Sequence, residues 1–259
     1  MKYISFDHTQ EIIPNVVEKI EDLLRNNSHL ALEAYIAIGY YYYNKGDLES
    51  MKPLVQRINR QLVQTRSFYP EEISKITAEQ YFYLAVMYRD LREYDQALSY
   101  FEIALDQATR IDHSIHTMLI LSEKALVYSF KQEIEEARSW IELAITKFEK
   151  LPETQGYHEA HIEHTRGLIA YYGEDFESAL FSFQRVLPIW EAYEREYHIA
   201  LANNAIGSTL IRLNRPEEAI TYLIRAKDVC KPLDEKKYAI DLLNIIDTNL
   251  NEANNMLSD

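Results

Sequence analysis

Small and large apolar residues recur along this chain in a pattern that repeats five times. Its cleanest form is residues 202–226, ANNAIGSTLIRLNRPEEAITYLIRA. There Gly207 stands inside one helical stretch, and Ala219, Leu223 and Ala226 follow at helical spacing along a second, which Pro216 opens at a first-turn position. Glycine disfavours helix interiors, so Gly207 marks a place where a neighbouring backbone must come close. The pattern predicts two helices joined by a tight turn.

The same grammar runs upstream. Gly39 and Met51, Ala85 and Ala97, Ala125 and Ala137, Gly167 and Ala179, and Gly207 and Ala219 are each 12 residues apart. Five helical hairpins are expected, over 30–64, 78–111, 118–149, 160–195 and 200–231. The first is the most degenerate, with Pro53 early in its second helix or kinking it. Ahead of them, Ile12, Ile13, Val16, Val17, Ile20, Leu23 and Leu24 predict a leading amphipathic helix over 9–26. Behind them, Tyr238, Leu242, Leu243, Ile246 and Leu250 predict a capping helix over 235–257, needed because the last unit has no neighbour to bury its apolar stripe. Successive second-helix anchors lie 46, 40, 42 and 40 residues apart. A repeat that long implies helices of about 18 residues, each ~27 Å in length.

Composition agrees with an all-α chain, since 7 prolines and 6 glycines are few for 259 residues. No apolar run approaches the ~20 residues that span a bilayer, and Met1 to Asp22 carries acids and Pro14 instead of a basic, apolar leader. With the lone Cys230, which leaves no intrachain disulfide, this points to the cytoplasm. The formal net charge of −14 opposes binding to nucleic acid or anionic membrane and favours neutral or basic partners. Self-association to a homo-oligomer stays open.

Five copies in one register resemble the tetratricopeptide repeat, with a small residue inside the first helix, an aromatic about three residues later, and alanines with an aromatic on the second. The resemblance covers residues 30 to 231, and its length is that of the long variety in peptide-sensing regulators of the Rap, NprR and PlcR group, in MalT and in kinesin light chain. It implies a right-handed superhelix with first helices on the concave wall and second helices on the convex one. It also implies a non-catalytic module that binds protein or peptide in its groove. The alternative is a signalling-peptide sensor without an output domain, because the leading segment is one acidic helix with no helix-turn-helix or helical bundle expected. The Lys, Asn and Arg set of a carboxylate clamp is absent.

First-helix residues off the packing stripe are then the candidate binding wall: Tyr40, Tyr43, Phe82, Arg89, Ser122, His161, His164, Tyr171, Asn204 and Ser208. Ile36, Glu79, Val86, Leu126, Ser129, Leu168 and Ile211 fall on the same faces. Aromatics mixed with hydrogen-bonding groups suit a peptide better than a phosphate or sugar. Asn204 stands out, because an inward amide both donates and accepts and can hold a peptide bond, as asparagines do in the long-repeat relatives. Asn203 falls nearer the packing stripe. In Tyr40 to Tyr43 two or three rings are expected to pack while the others present hydroxyls.

His158, His161 and His164, with Glu159 and Glu163, have the composition of a metal site but not the azimuth. Steps of three residues fan them over about a third of the helix. They are expected to line the groove, where titration near neutrality would make a grip pH-dependent. No glycine-rich phosphate loop, nucleophile elbow, HExxH motif or paired carboxylate is present, so neither enzyme activity nor any cofactor is expected.

Overall fold

The computed structural model describes residues 47–64, 70–151, 156–233 and 237–258, with isolated positions between Ala34 and Lys45. The expected leading helix and the candidates Ile36, Tyr40 and Tyr43 lie outside the described residues. Every regular element among those described is helical. The chain divides into two compact units, Met1–His113 and Ser114–Asp259.

The first unit contains α1 (Leu48–Gln64), α2 (Pro70–Asp90) and α3 (Tyr94–Arg110). The second runs through α4 (Ser114–Phe130), α5 (Ile134–Phe148), α6 (Gly156–Tyr172), α7 (Phe176–Ala192), α8 (Glu196–Arg212) and α9 (Pro216–Cys230). A 3-10 turn at Lys231–Leu233 leads to α10 (Lys237–Ser258). Helices α2 and α3, α4 and α5, α6 and α7, and α8 and α9 pack as hairpins, and α10 closes against α9 and α8. Pro53 sits inside α1, and Pro216 takes the first position of α9, where its missing N–H removes no bond. The first helices start before the repeat boundaries read from sequence: α2 opens at Pro70 and α8 at Glu196. Residues 70–77, 114–117, 156–159 and 196–199, which fall between the expected units, are thus the opening turns of these helices.

One turn geometry joins each described hairpin. Arg92, Gln132, Glu174 and Asn214 take φ of 61°, 64°, 61° and 57°, each five residues before the alanine that opens the second-helix stripe. Around each, two backbone bonds close the preceding helix. For Glu174 they are Glu174 N–H to Tyr171 C=O at 3.1 Å and Asp175 N–H to Ala170 C=O at 2.9 Å. This is a Schellman closure, and it turns the chain back without glycine. Asp175 then accepts from the Ser178 N–H at 3.2 Å to start α7.

The stripes form the interior. Ala97, Phe101 and Ala104; Ala137, Ile141 and Ala144; Ala179, Phe183 and Val186; and Ala219, Leu223 and Ala226 are all buried. Against them lie the small residues of the first helices. A Cβ on Gly167 would fall 2.5 Å from Phe183 Cε1, and one on Gly207 2.5 Å from Leu223 Cγ. What approaches Gly207 most closely is therefore a side chain, not the backbone expected from sequence. Ala200, Ala226, Cys230, Ala239, Leu242 and Ile246 form a separate cluster that seats α10.

Candidate functional site

The 12-residue register places Phe82, Ser122, His164 and Asn204 at equivalent positions of four first helices, three residues before the small anchor. Their environments differ. Phe82, in the first unit, is half-buried and meets Phe101 edge-on at 6.0 Å. Ser122 is fully buried on α4 and donates to Thr165 Oγ1 of α6 at 3.1 Å. His164 is buried on α6, and Asn204 is half-open on α8.

Ser122 and His164 are therefore corrected: neither lines an open wall. Leu126 and Ser129 of α4 are buried as well, Ser129 donating to the Leu126 carbonyl at 2.7 Å. Helix α4 is buried on nearly every side, and even Lys124 is enclosed, its Nζ 3.5 Å from the centre of the Trp140 ring. Val86 and Ile211 are likewise interior. In the first unit Arg89 is half-buried and forms a two-pronged bond to Asp90, at 2.9 and 2.7 Å.

In the second unit, Leu168 and Tyr171 of α6, Asn204 and Ser208 of α8 and Asn249 of α10 are all half-exposed, the same exposure that Phe82 and Arg89 have in the first. The polar atoms of the second-unit set are joined laterally. The hydroxyls of Tyr171 and Ser208 lie 2.9 Å apart, and Asn249 Nδ2 donates to Asn204 Oδ1 at 3.0 Å. That second bond leaves the Asn204 amide NH₂ and the Asn249 carbonyl, a donor and an acceptor, without a partner among the described residues at a half-open surface. Phe176 meets Tyr171 edge-on at 5.6 Å and carries the Arg212 guanidinium 5.1 Å above its ring. Asn249 lies on the capping helix, which sequence reasoning treated as closure only. Asn203, by contrast, is fully buried, with Nδ2 donating to the Ile199 carbonyl at 2.8 Å.

The histidine group is more internal than its sequence suggested. His161 is half-buried, with Nε2 3.5 Å from Glu123 Oε1 of α4. Burial, followed by the neighbouring His161 and His198, lowers the His164 pKa to about 3. Burial, then His161 and Arg195, lowers that of His198 to about 4. Both imidazoles are neutral at physiological pH, which removes them as a charge-based grip there. Glu163 is also structural: it accepts from Ser182 Oγ at 3.0 Å and Arg166 Nη1 at 3.0 Å, with Arg185 Nη1 at 3.4 Å. Among the described residues no group of three or more His, Cys, Asp or Glu side chains is arranged to hold a metal ion.

Two shallow depressions lie along second helices and were not anticipated. One, of about 280 Å³, is lined by Glu177, Leu180, Phe181, Gln184, Leu213 and Arg215. The other, of about 540 Å³, lies between α9 and α10 and includes Ile220, Ile224, Lys227 and Asp247. Among the described residues no helix is long and apolar enough to cross a membrane.

Sequence profiles described as tetratricopeptide repeat match residues 77–150 and 200–231. No curated protein sequence matches the chain. Among solved structures, the chain is similar to BtubC (BKLC) from P. vanneervenii, with TM-score 0.66 and 17% identity over 88% of this chain and 92% of that one. It is also similar to a signal transduction ATPase with numerous domains from Pyrococcus horikoshii, which carries a tetratricopeptide repeat sensor. There the TM-score is 0.59 at 18% identity, covering 96% of this chain and 38% of the other. The apo form of RapI superposes with TM-score 0.52 at 14% identity, over 95% of this chain and 74% of that one. At these identities the likeness is one of fold.

Proposed function

We propose that this chain, which belongs to the tetratricopeptide repeat superfamily, is a non-catalytic module that holds a peptide or protein segment along the first-helix row of α6, α8 and α10. The observation that carries this reading is the half-open band of Leu168, Tyr171, Asn204, Ser208 and Asn249. Its apolar and aromatic surface is punctuated by an amide donor and an amide acceptor, the pair of groups that an extended peptide backbone satisfies. The Phe176–Arg212 pair borders the band at Tyr171. The net charge of −14 favours a neutral or basic segment, and the single buried thiol of Cys230 suits a cytoplasmic setting.

Selection of peptides from a random display library, followed by calorimetric titration, tests the reading. Asn204→Ala is expected to weaken a selected peptide about tenfold or more, the order expected for losing a backbone-directed hydrogen bond at a desolvated site. Unchanged affinity across Asn204→Ala, Tyr171→Phe and Ser208→Ala would remove the row from the binding surface.

The lateral bonds favour a second reading, a sensor whose helices shift when a signalling peptide arrives. Tyr171–Ser208 and Asn204–Asn249 tie α6 to α8 and α8 to α10, so a ligand that takes over these groups changes what holds the helices side by side. Small-angle scattering with and without the selected peptide separates the readings: compaction supports the sensor, and an unchanged profile supports a passive module.

A further inference from the structure

The interior of the second unit gathers imidazoles from two helices. His164 of α6 is 8% exposed, its Nδ1 has no hydrogen-bond partner, and its ring centre lies 5.3 Å from that of Phe183 on α7. His198 of α8 lies 4.4 Å from the Trp190 ring and 6.0 Å from the Tyr157 ring. His161 reaches Glu123 of α4 at 3.5 Å, and His158 packs edge-on against Tyr157 at 5.6 Å. Two imidazoles therefore face aromatic carbon where a charged ring would need an acceptor.

We propose that the seam joining α6 to α4, α7 and α8 is an acid-sensitive joint, in which protonation of His164 and His198 loosens α6 from its neighbours.

The charged groups around the joint set its sign. Helix α4 offers Glu123, which attracts a proton to His164 but is already beside His161. Helix α8 offers His198, and Arg195 just ahead of it repels a proton from His198. Helix α7 presents Phe183 and Trp190, while its Arg185 is directed to Glu163 of α6. On α6 itself His161 disfavours charge on His158, His164 and His198 alike, after burial as the main cause. Because the buried His164 and the half-buried His198 hold protons less readily in the folded state than at the ordinary value near 6.5, the unfolded chain binds more protons in acid. The stability they confer is complete above about pH 6.5 and is lost as pH falls toward their folded values of about 4 and about 3.

Thermal unfolding of the full chain at pH 7.0 and 5.0 tests the joint, alone and with His164→Gln and His198→Gln combined. The native chain is expected to lose at least about 5 °C more of its Tm between the two pH values than the double variant. An equal loss in both would overturn the proposal. Should the double variant fail to fold, an NMR titration of the 8 imidazoles in the native chain decides. Two rings still neutral at pH 5.5 in the folded protein uphold the joint, and titration of all of them near pH 6.5 contradicts it.

Discussion

A methyl group added at Gly207 would sit 2.5 Å from Leu223 Cγ and 3.3 Å from the Ala219 carbonyl oxygen, and neither belongs to a side chain with a free end. Gly207→Ala should therefore destabilise the protein by ~1–3 kcal/mol, the range for overpacking a filled interior, as read from a denaturant midpoint. The opposite effect is expected at Glu174. This exposed residue holds φ at 61°, a region that costs a side-chain-bearing residue ~1–2 kcal/mol and glycine little. Glu174→Gly should raise the midpoint by up to about 1 kcal/mol, whereas Glu174→Val should lower it. Single residues also mark the limit of reading by periodicity. Ser122 and Asn204 share a register position, yet Ser122 is sealed against Thr165 and Asn204 is half-open, because azimuth says which way a side chain points and not what covers it.

Between helices, the small anchors explain why the hairpins were legible. Gly167 and Gly207 set a small residue on the first helix against the Phe183 and Leu223 stripes on the second, and a left-handed turn residue recurs five positions before Ala97, Ala137, Ala179 and Ala219. The contribution of α10 was less visible. Its apolar stripe announced a cap, but nothing in its sequence indicated that Asn249 would extend the first-helix row to Asn204. The cap's structural role is testable through Cys230, which is fully buried, lies 3.6 Å from the Ala239 carbonyl of α10 and has its thiol pKa pushed up by burial. In the intact chain a thiol reagent should label Cys230 at least ~100-fold more slowly than in the denatured chain, because reaction waits on opening of the α9–α10 contact. Truncation after Leu233 should remove that protection, and retained protection would show that α10 is not what seals the cluster.

At the scale of the whole molecule, net charge acts on every element at once. A net charge of −14 makes self-repulsion a general load on the folded state, so moderate salt should raise Tm by a few degrees. A fall in Tm would mean that specific ion pairs such as Arg215 with Glu218, at 2.7 Å, outweigh that repulsion. The all-helical hairpin architecture was readable from five copies in register, since each copy repeats the evidence of the others. The extent of the half-open first-helix row was not, because α4 buries Ser122, Leu126 and Ser129, residues whose positions matched those of an open face. The most direct measurement is therefore an NMR map of amide shifts on titrating a library-selected peptide into the full chain. The changes are predicted to centre on Leu168, Tyr171, Asn204, Ser208 and Asn249. Changes centred instead on the second-helix depressions around Phe181 and Ile224 would contradict the first-helix row as the site.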